Sequence, residues 1–299
     1  MNQNWSIIIL GAYVLVFMAV VVGFYIYRAQ RQGGRLPVTI KLLREPGETL
    51  RRRMMKFEDQ FSTRMGAAAL IPLLLAGFAF RLLVSTRPST WQEVGVVIAI
   101  PVVILTAGLI TASIYSFRYL TRYRNDRLGY LGERVVAEHL QPLLAKGYSI
   151  FHDVPATGRT SNFNLDHVVV GPSGVSLVET KARRKYKNRN DKPSYTVYSD
   201  GQRLKWPWGS ETADLEQTTS QAAWLHEFIR ARTGLSVSVK SILAIPGWWV
   251  ESEKTGHVSV VNSKSLPATV VGSGKLTLTP VQADLISRQL DVLCRDVED

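Results

Sequence analysis

Cysteine is almost missing from these 299 residues: Cys294 stands alone, so no internal disulfide can form and no thiolate metal cluster can be built. Histidine is scarce as well. His139, His152, His226 and His257 share no metal-ligand spacing, and no histidine metal site is read from them. Ser173 and Cys294 have no base at a suggestive distance along the chain, which leaves nucleophilic catalysis unsupported. No internal repeat and no low-complexity tract interrupts the chain. Acidic residues are in deficit, 24 Asp and Glu against 36 Lys and Arg, for a net charge of +12. That imbalance points to phosphate-rich partners, either nucleic acid or anionic lipid headgroups.

Charge is also missing from three long apolar runs. The first extends from Ile7 to about Tyr27, the second from Gly66 to about Leu83 with Arg81 near its end, and the third from Val94 to about Phe117. At a rise of about 1.5 Å per residue the first is long enough to cross a hydrocarbon core of about 30 Å, and the length and near absence of charge of the other two argue against a buried soluble hairpin. Met1 to Ser6 holds no Lys or Arg and no small-residue cleavage site follows, so the first run reads as an anchor and not as a secretory signal. Only Ser85 to Glu93 separates the second and third runs, which therefore read as a helical hairpin. Basic residues crowd the segment between the first two runs, from Arg28 to Arg64, and return after the third as Arg118, Arg122, Arg124 and Arg127. The short intervening loop carries only Arg87. The positive-inside rule then places the N-terminus outside a cell membrane and the C-terminal half in the cytoplasm. The expected organisation is a first transmembrane helix over 1–27, a basic cytoplasmic loop over 28–65, a transmembrane hairpin over 66–117, a basic linker over 118–127 and a soluble domain over 128–299.

The soluble half reads as mixed α/β. Leu128 to Ala145 has helical spacing, and Tyr148 to Val154 looks like a strand. Asn164 to Val170 and Val175 to Lys181 are strand-like runs joined by Gly171-Pro172-Ser173-Gly174, a turn composition. A basic insertion fills 182–210, with a small hairpin around Asp200-Gly201. A helix follows from Asp214 to Arg232, then strands at Val237 to Ile245 and Val258 to Val261. Thr279-Pro280 opens the last helix as cap and first residue.

The hairpin carries the chemistry. If residues 171–174 form the turn, Val170 faces Val175 and Asp166 lies opposite Glu179, with β-carbons about 4.5–5.5 Å apart. Facing carboxylates repel each other. A divalent cation resolves that conflict, and an all-oxygen ligand set favours Mg²⁺ or Mn²⁺. Lys181 shares the face of Glu179, since residues two apart in a strand point the same way. There it can position a water or stabilise charge on a phosphate. His167 points to the other face and reads as a packing residue. An isolated Glu-x-Lys is usually a solvated ion pair; the aspartate across a tight turn changes that weighting.

Four pieces of this half resemble the NERD (nuclease-related) domain, a branch of the PD-(D/E)XK nuclease superfamily. They are Leu131-Gly132-Glu133 in the first helix, Leu165-Asp166-His167-Val168-Val169-Val170, the strand from Gly174 to Glu179-Thr180-Lys181, and Leu215-Glu216-Gln217 followed by Trp224-Leu225. Asp200 to Gly209 and Pro246 to Val250 are similar to stretches of some bacterial members, so the likeness spans about 128–265. It implies a restriction-endonuclease-like fold with a mixed central sheet behind three N-terminal transmembrane helices. It implies metal ligation by Asp166 and Glu179, assistance from Glu133, a catalytic Lys181 and a motif glutamine at Gln217. Leu165 replaces the proline of the superfamily's name, and the Asn-Pro that often precedes the glutamine is absent. Gln221, one helical turn after Gln217, can share or take its role.

Arg183, Arg184, Lys185, Lys187 and Arg189 leave the Glu-x-Lys strand with Tyr186 among them, a composition suited to a phosphate backbone, with DNA as the expected polymer. Trp206, Trp208, Trp248 and Trp249 could stack bases, though core packing explains most of them. The reading that follows is a membrane-anchored, Mg²⁺- or Mn²⁺-dependent nuclease. Its rivals are a non-catalytic module that tethers nucleic acid to the bilayer and a membrane sensor or scaffold.

Overall fold

The computed structural model describes residues 41–158, 162–185, 195–253 and 256–296. Contacts divide the chain into two units, Met1–Leu42 with Asp296–Asp299, and Leu43–Arg295. Most of the first unit, including the expected first span, lies outside the described residues; the second contains everything that follows.

Two helices open it, α1 (Glu48–Ser85) and α2 (Trp91–Leu140). Both are long and apolar enough to cross a membrane by length and composition. Thr90 caps α2: its Oγ1 accepts from the Glu93 N–H at 3.3 Å while Glu93 Oε2 accepts from the Thr90 N–H, a reciprocal box that satisfies the helix's first donors. The pair packs closely where Gly108 meets Pro72, since a Cβ at 108 would stand 2.4 Å from the proline ring. Outward, Phe78 is 69 % exposed and Leu109 68 %, two of many large apolar side chains left uncovered along the pair. Residues 48–65 and 118–127, expected as loop and linker, are helical throughout. Neither stretch contains a proline, and their charges do not break a helix; the apolar runs therefore continue into the soluble half without a hinge.

After α2 and a 3₁₀ turn at Gln141–Lys146 come β1 (Ser149–Thr157), β2 (Asn162–Gly171) and β3 (Gly174–Thr180). Then follow β4 (Thr196–Ser199), β5 (Leu204–Trp206), β6 (Gly209–Glu211), α3 (Ala213–Thr233), β7 (Val239–Ala244), β8 (Trp249–Ser252), β9 (Val258–Val261), α4 (Leu266–Val271) and α5 (Pro280–Leu293). The main sheet has the order β9-β7-β3-β2-β1. β1, β2 and β3 are antiparallel neighbours, while β3, β7 and β9 run parallel. A smaller sheet, β6-β5-β4-β8, is built largely from the basic insertion, with β4 and β5 as the hairpin around Asp200-Gly201.

Both faces of the main sheet are covered, which is why β2 and β3 read as continuous valine-rich runs. On one face Val136 and Leu140 of α2 pack with Val169, Val178 and Ile242. On the other, Leu225 and Ile229 of α3 and Ile286 and Leu290 of α5 pack with Val168, Val170 and Leu177. The lone Cys294 is buried there. This is a mixed α/β domain of the kind the sequence pattern implies.

Candidate metal and catalytic site

The turn at 171–174 sets the register. Val170 pairs with Val175 and His167 with Val178, as the turn composition requires. The backbone ladder stops there, one rung before Asp166 and Glu179. Side chains replace it: the Thr180 N–H donates to Asp166 Oδ2 at 2.7 Å, and the Asp166 N–H donates to Glu179 Oε1 at 3.4 Å. The two carboxylates are thus held at the splayed end of the hairpin, each by a backbone amide.

The same rung is broken on the other side. His152 pairs with His167 and Val154 with Leu165, but no pair is formed between them. Asp153 occupies the gap with φ 48. A non-glycine residue in that region stores about 1–3 kcal/mol, and aspartate tolerates it better than most. Side-to-side alternation fails at this point: Phe151 and Val154 both join the same core. Asp153 therefore stands against Asp166 as a carboxylate of the site that strand spacing does not reveal.

Glu133 comes from α2, which reaches the sheet end because Gly132 admits Ala182 and Thr180; a Cβ at 132 would lie 2.7 Å from Ala182 Cβ. It is 7 % exposed. Burial, then the Asp166 and Asp153 charges, push its carboxyl up to about 9, while the nearby Gly47 N–H favours the charged form. Burial and Asp153 raise Asp166 to about 7 although the Thr180 N–H and Lys181 favour its charged form. Glu179 is pushed well above the carboxylate range by burial, Asp166 and Glu133. Without a cation these groups cannot all ionise.

α3 closes the site. With the Gln221 amide oriented to satisfy both its ends, Nε2 donates to Glu179 Oε1 at 2.9 Å and Oε2 at 3.2 Å, and its oxygen accepts from Gln217 Nε2 at 3.3 Å. Gln221 is buried and touches the glutamate; Gln217 is exposed and reaches it through Gln221. Lys181 follows the end of β3 and donates to Asp214 Oδ1 at the start of α3. Asp214 is raised by burial, and the lysine works against that shift. Its Oδ2 accepts no hydrogen bond and lies 3.7 Å from Arg183 Nη2.

Among the described residues of the basic run, Arg183 and Arg184 are engaged by protein. Arg183 Nη2 donates to both oxygens of Glu211, at 3.1 and 2.9 Å, and Arg184 to the Arg124 carbonyl at 2.7 Å. Lys185 is exposed, with Nζ 4.2 Å from the Tyr195 ring centroid. Lys187 and Arg189 lie outside the described residues. A cleft of about 480 Å³ opens beside Lys181, lined by Arg183, Arg184, Asn125 and Trp208. Of the tryptophans, Trp206 and Trp248 are buried, whereas Trp208 and Trp249 are exposed. His167 is fully buried, hydrogen-bonded to His152 Nδ1 at 2.8 Å and to Thr180 Oγ1 at 3.3 Å; burial holds both imidazoles below their usual range.

Asp214 and Asp153 are the residues that motif reading passes over. Asp214, Gln217 and Gln221 stand at i, i+3 and i+7 on α3, one helical face, and that spacing was available as a signal. Asp153 had only its place as a lone acid in an apolar strand.

The donor set fits a divalent cation: buried, mutually repelling carboxylates, and an orphaned Glu133 Oε2 that accepts no hydrogen bond. Among the described residues no three acidic, histidine or cysteine side chains already converge as a ligand shell. Residues 128–246 match the family model of the Nuclease-related domain, NERD. No curated protein and no solved structure matches the chain.

Proposed function

We propose that this chain is a membrane-anchored, metal-dependent nuclease or related DNA-processing enzyme working on the cytoplasmic side. The enclosed Glu133–Asp166–Glu179 cluster, inside the stretch that matches a nuclease-related domain, carries the proposal. Asp166 and Glu179 would hold Mg²⁺ or Mn²⁺, with Glu133 assisting. Such a cation supplies Lewis-acid polarisation of a phosphodiester and a more acidic bound water. Gln221 fixes both oxygens of Glu179 and so sets the direction of its lone pairs. The Thr180 N–H does the same for Asp166. Lys181 Nζ, positioned by Asp214, borders the cleft and can stabilise negative charge developing on a phosphate oxygen. Exposed Lys185 and the cleft rim would meet the nucleic-acid backbone.

Anchoring rests on the exposed apolar sides of α1 and α2. Orientation rests on Lys56, Arg64, Arg118 and Arg122 gathering at the hairpin's domain end against Arg87 at its tip. One observation favours a second reading. Lys181 and Arg183 are both ion-paired to protein carboxylates, as suits a non-catalytic module that tethers nucleic acid.

The test uses the full chain in detergent or nanodiscs, with labelled single- and double-stranded DNA and RNA and with Mg²⁺, Mn²⁺ or EDTA. Cleavage that needs metal and is lost in Asp166→Ala and Lys181→Ala supports the nuclease. Salt-sensitive binding without cleavage, unchanged in both variants, replaces it with the tether.

A further inference from the structure

The matched domain begins at residue 128, yet one carboxylate inside it, Asp153, is held by Arg44 and Thr49, 109 and 104 residues earlier. α1 starts at Glu48 after Gly47, whose φ is 72 and which offers no side-chain cap. The first amides of such a helix need partners outside it. Here the Glu48 N–H donates to the Glu45 carbonyl at 3.1 Å, and the site supplies the next acceptor. The Thr49 N–H donates to Asp153 Oδ2 at 3.0 Å and Thr49 Oγ1 to the same oxygen at 2.7 Å. The Gly47 N–H favours the charged form of the Glu133 carboxyl. Arg44 Nη1 donates to Asp153 Oδ2 at 2.9 Å and to its carbonyl at 3.2 Å. Asn164, two residues before Asp166, donates to Asp153 Oδ1 at 2.9 Å and to Thr49 Oγ1.

The approach is close by construction. A Cβ at Gly47 would stand 2.7 Å from Tyr130 Cδ2, and one at Gly129 2.9 Å from Leu50 Cδ1. The strained Asp153 backbone is therefore locked by donors from the foot of the hairpin, at the rung where Asp166 leaves the ladder.

We propose that Arg44 and Thr49 are positioning residues of the active site: they fix Asp153 against Asp166, so that the α1 turn of the membrane hairpin completes the nuclease-related domain. This rests on the reading above. Neither residue lines the cleft beside Lys181, so loss of either acts on metal binding and turnover and not on substrate affinity. Outer partners of metal sites typically contribute about 10–100-fold to metal affinity or activity.

The experiment compares Thr49→Ala, Thr49→Ser, Arg44→Ala and Arg44→Lys in the full chain in nanodiscs. It reads kcat and KM separately, and Mn²⁺ affinity by isothermal titration. The expected result is a fall of about tenfold or more in kcat and in Mn²⁺ affinity for Thr49→Ala, with KM unchanged and both losses restored by Thr49→Ser. Arg44→Lys should fall between wild type and Arg44→Ala. If Arg44→Ala does not fold, the threonine pair decides. Equal kcat and equal Mn²⁺ affinity in Thr49→Ala and Thr49→Ser overturn the proposal. If wild type cleaves nothing, the nuclease reading fails while the Mn²⁺ titration still decides this one: weakening by alanine with rescue by serine supports it, and equal affinities or no Mn²⁺ binding by wild type overturn it.

Discussion

The hairpin exposes what a soluble protein hides, and the domain hides what a soluble protein exposes. Along α2 alone the contrast runs from Leu109 and Phe117, 68 % and 73 % exposed, to Glu133, 7 % exposed, on one unbroken helix. Ordinary surfaces do not carry contiguous apolar faces, and ordinary cores do not enclose several carboxylates without compensating partners. Each departure is costly in water, and on the proposed function each would be offset by something added: a hydrocarbon phase around the first, a cation inside the second. What the difference teaches is that one helix carries two solvation problems with two different solutions. Breaking either should leave the other standing.

The largest expected effect tests the domain side. Glu133 keeps its proton up to about 9 in the fold, whereas the unfolded carboxyl releases it near about 4.3. Unfolding in that interval releases a proton, so the stability associated with protonated Glu133 is complete below the unfolded value. It is lost as pH rises toward the folded value. Asp166, at about 7, adds the same sign over a shorter window. In EDTA the melting temperature should therefore fall from about pH 5 to about pH 9, and Glu133→Gln should flatten that fall. Added Mn²⁺ should raise the melting temperature more at the alkaline end than at the acid end. A melting curve whose pH dependence is the same in wild type and Glu133→Gln would detach the buried carboxyl from the cost assigned to it.

The hairpin side is tested by Leu109→Arg. A charge near the centre of a membrane helix costs about 2.5–3.5 kcal/mol on insertion scales, so the membrane-inserted fraction should drop sharply. In water the same substitution at an exposed position would change stability by no more than about 0.5 kcal/mol. Alkaline extraction of membranes separates the two: release of the variant with retention of wild type supports a lipid-facing surface, and equal behaviour removes it.

How much of this was open to sequence reading depends on the distance over which each cause acts. The hairpin register follows from four turn residues and holds through His167 and Val178; at the next rung Asp166 and Glu179 are joined by side-chain bonds to backbone amides and not by the ladder the turn alone implies. Glu133 and Gln217 were found through motif resemblance, and the geometry adds that Gln221 makes the direct contact with Glu179. Asp153 was not legible, because its role comes from a positive φ and from donors at Arg44 and Thr49, 109 and 104 residues away. The unbroken α2 was also missed. Arg118 to Arg127 reads as a boundary by charge, but it lacks the glycine or proline that would end a helix. Charge marks where the surroundings change; it does not mark where a helix stops.

The smallest expected effect sharpens the comparison inside the domain, where Lys181 and Asp214 form a pair next to the carboxylate cluster. If Asp214 serves only to hold α3 on the sheet, removing its charge should lower stability and leave turnover alone. If it aims Lys181, Asp214→Asn should keep a hydrogen-bonding group of the same size while freeing the lysine's direction. The expected outcome is a fall of about tenfold in kcat, about 1.4 kcal/mol at the transition state, with KM near wild type. Because Asp214 Oδ2 accepts no hydrogen bond and burial already raises its carboxyl, neutralising it should not reduce the melting temperature. A variant that melts lower but turns over normally would return Asp214 to the scaffold. One that melts normally but turns over slowly would place it, with Gln221, among the residues that direct the site's charges.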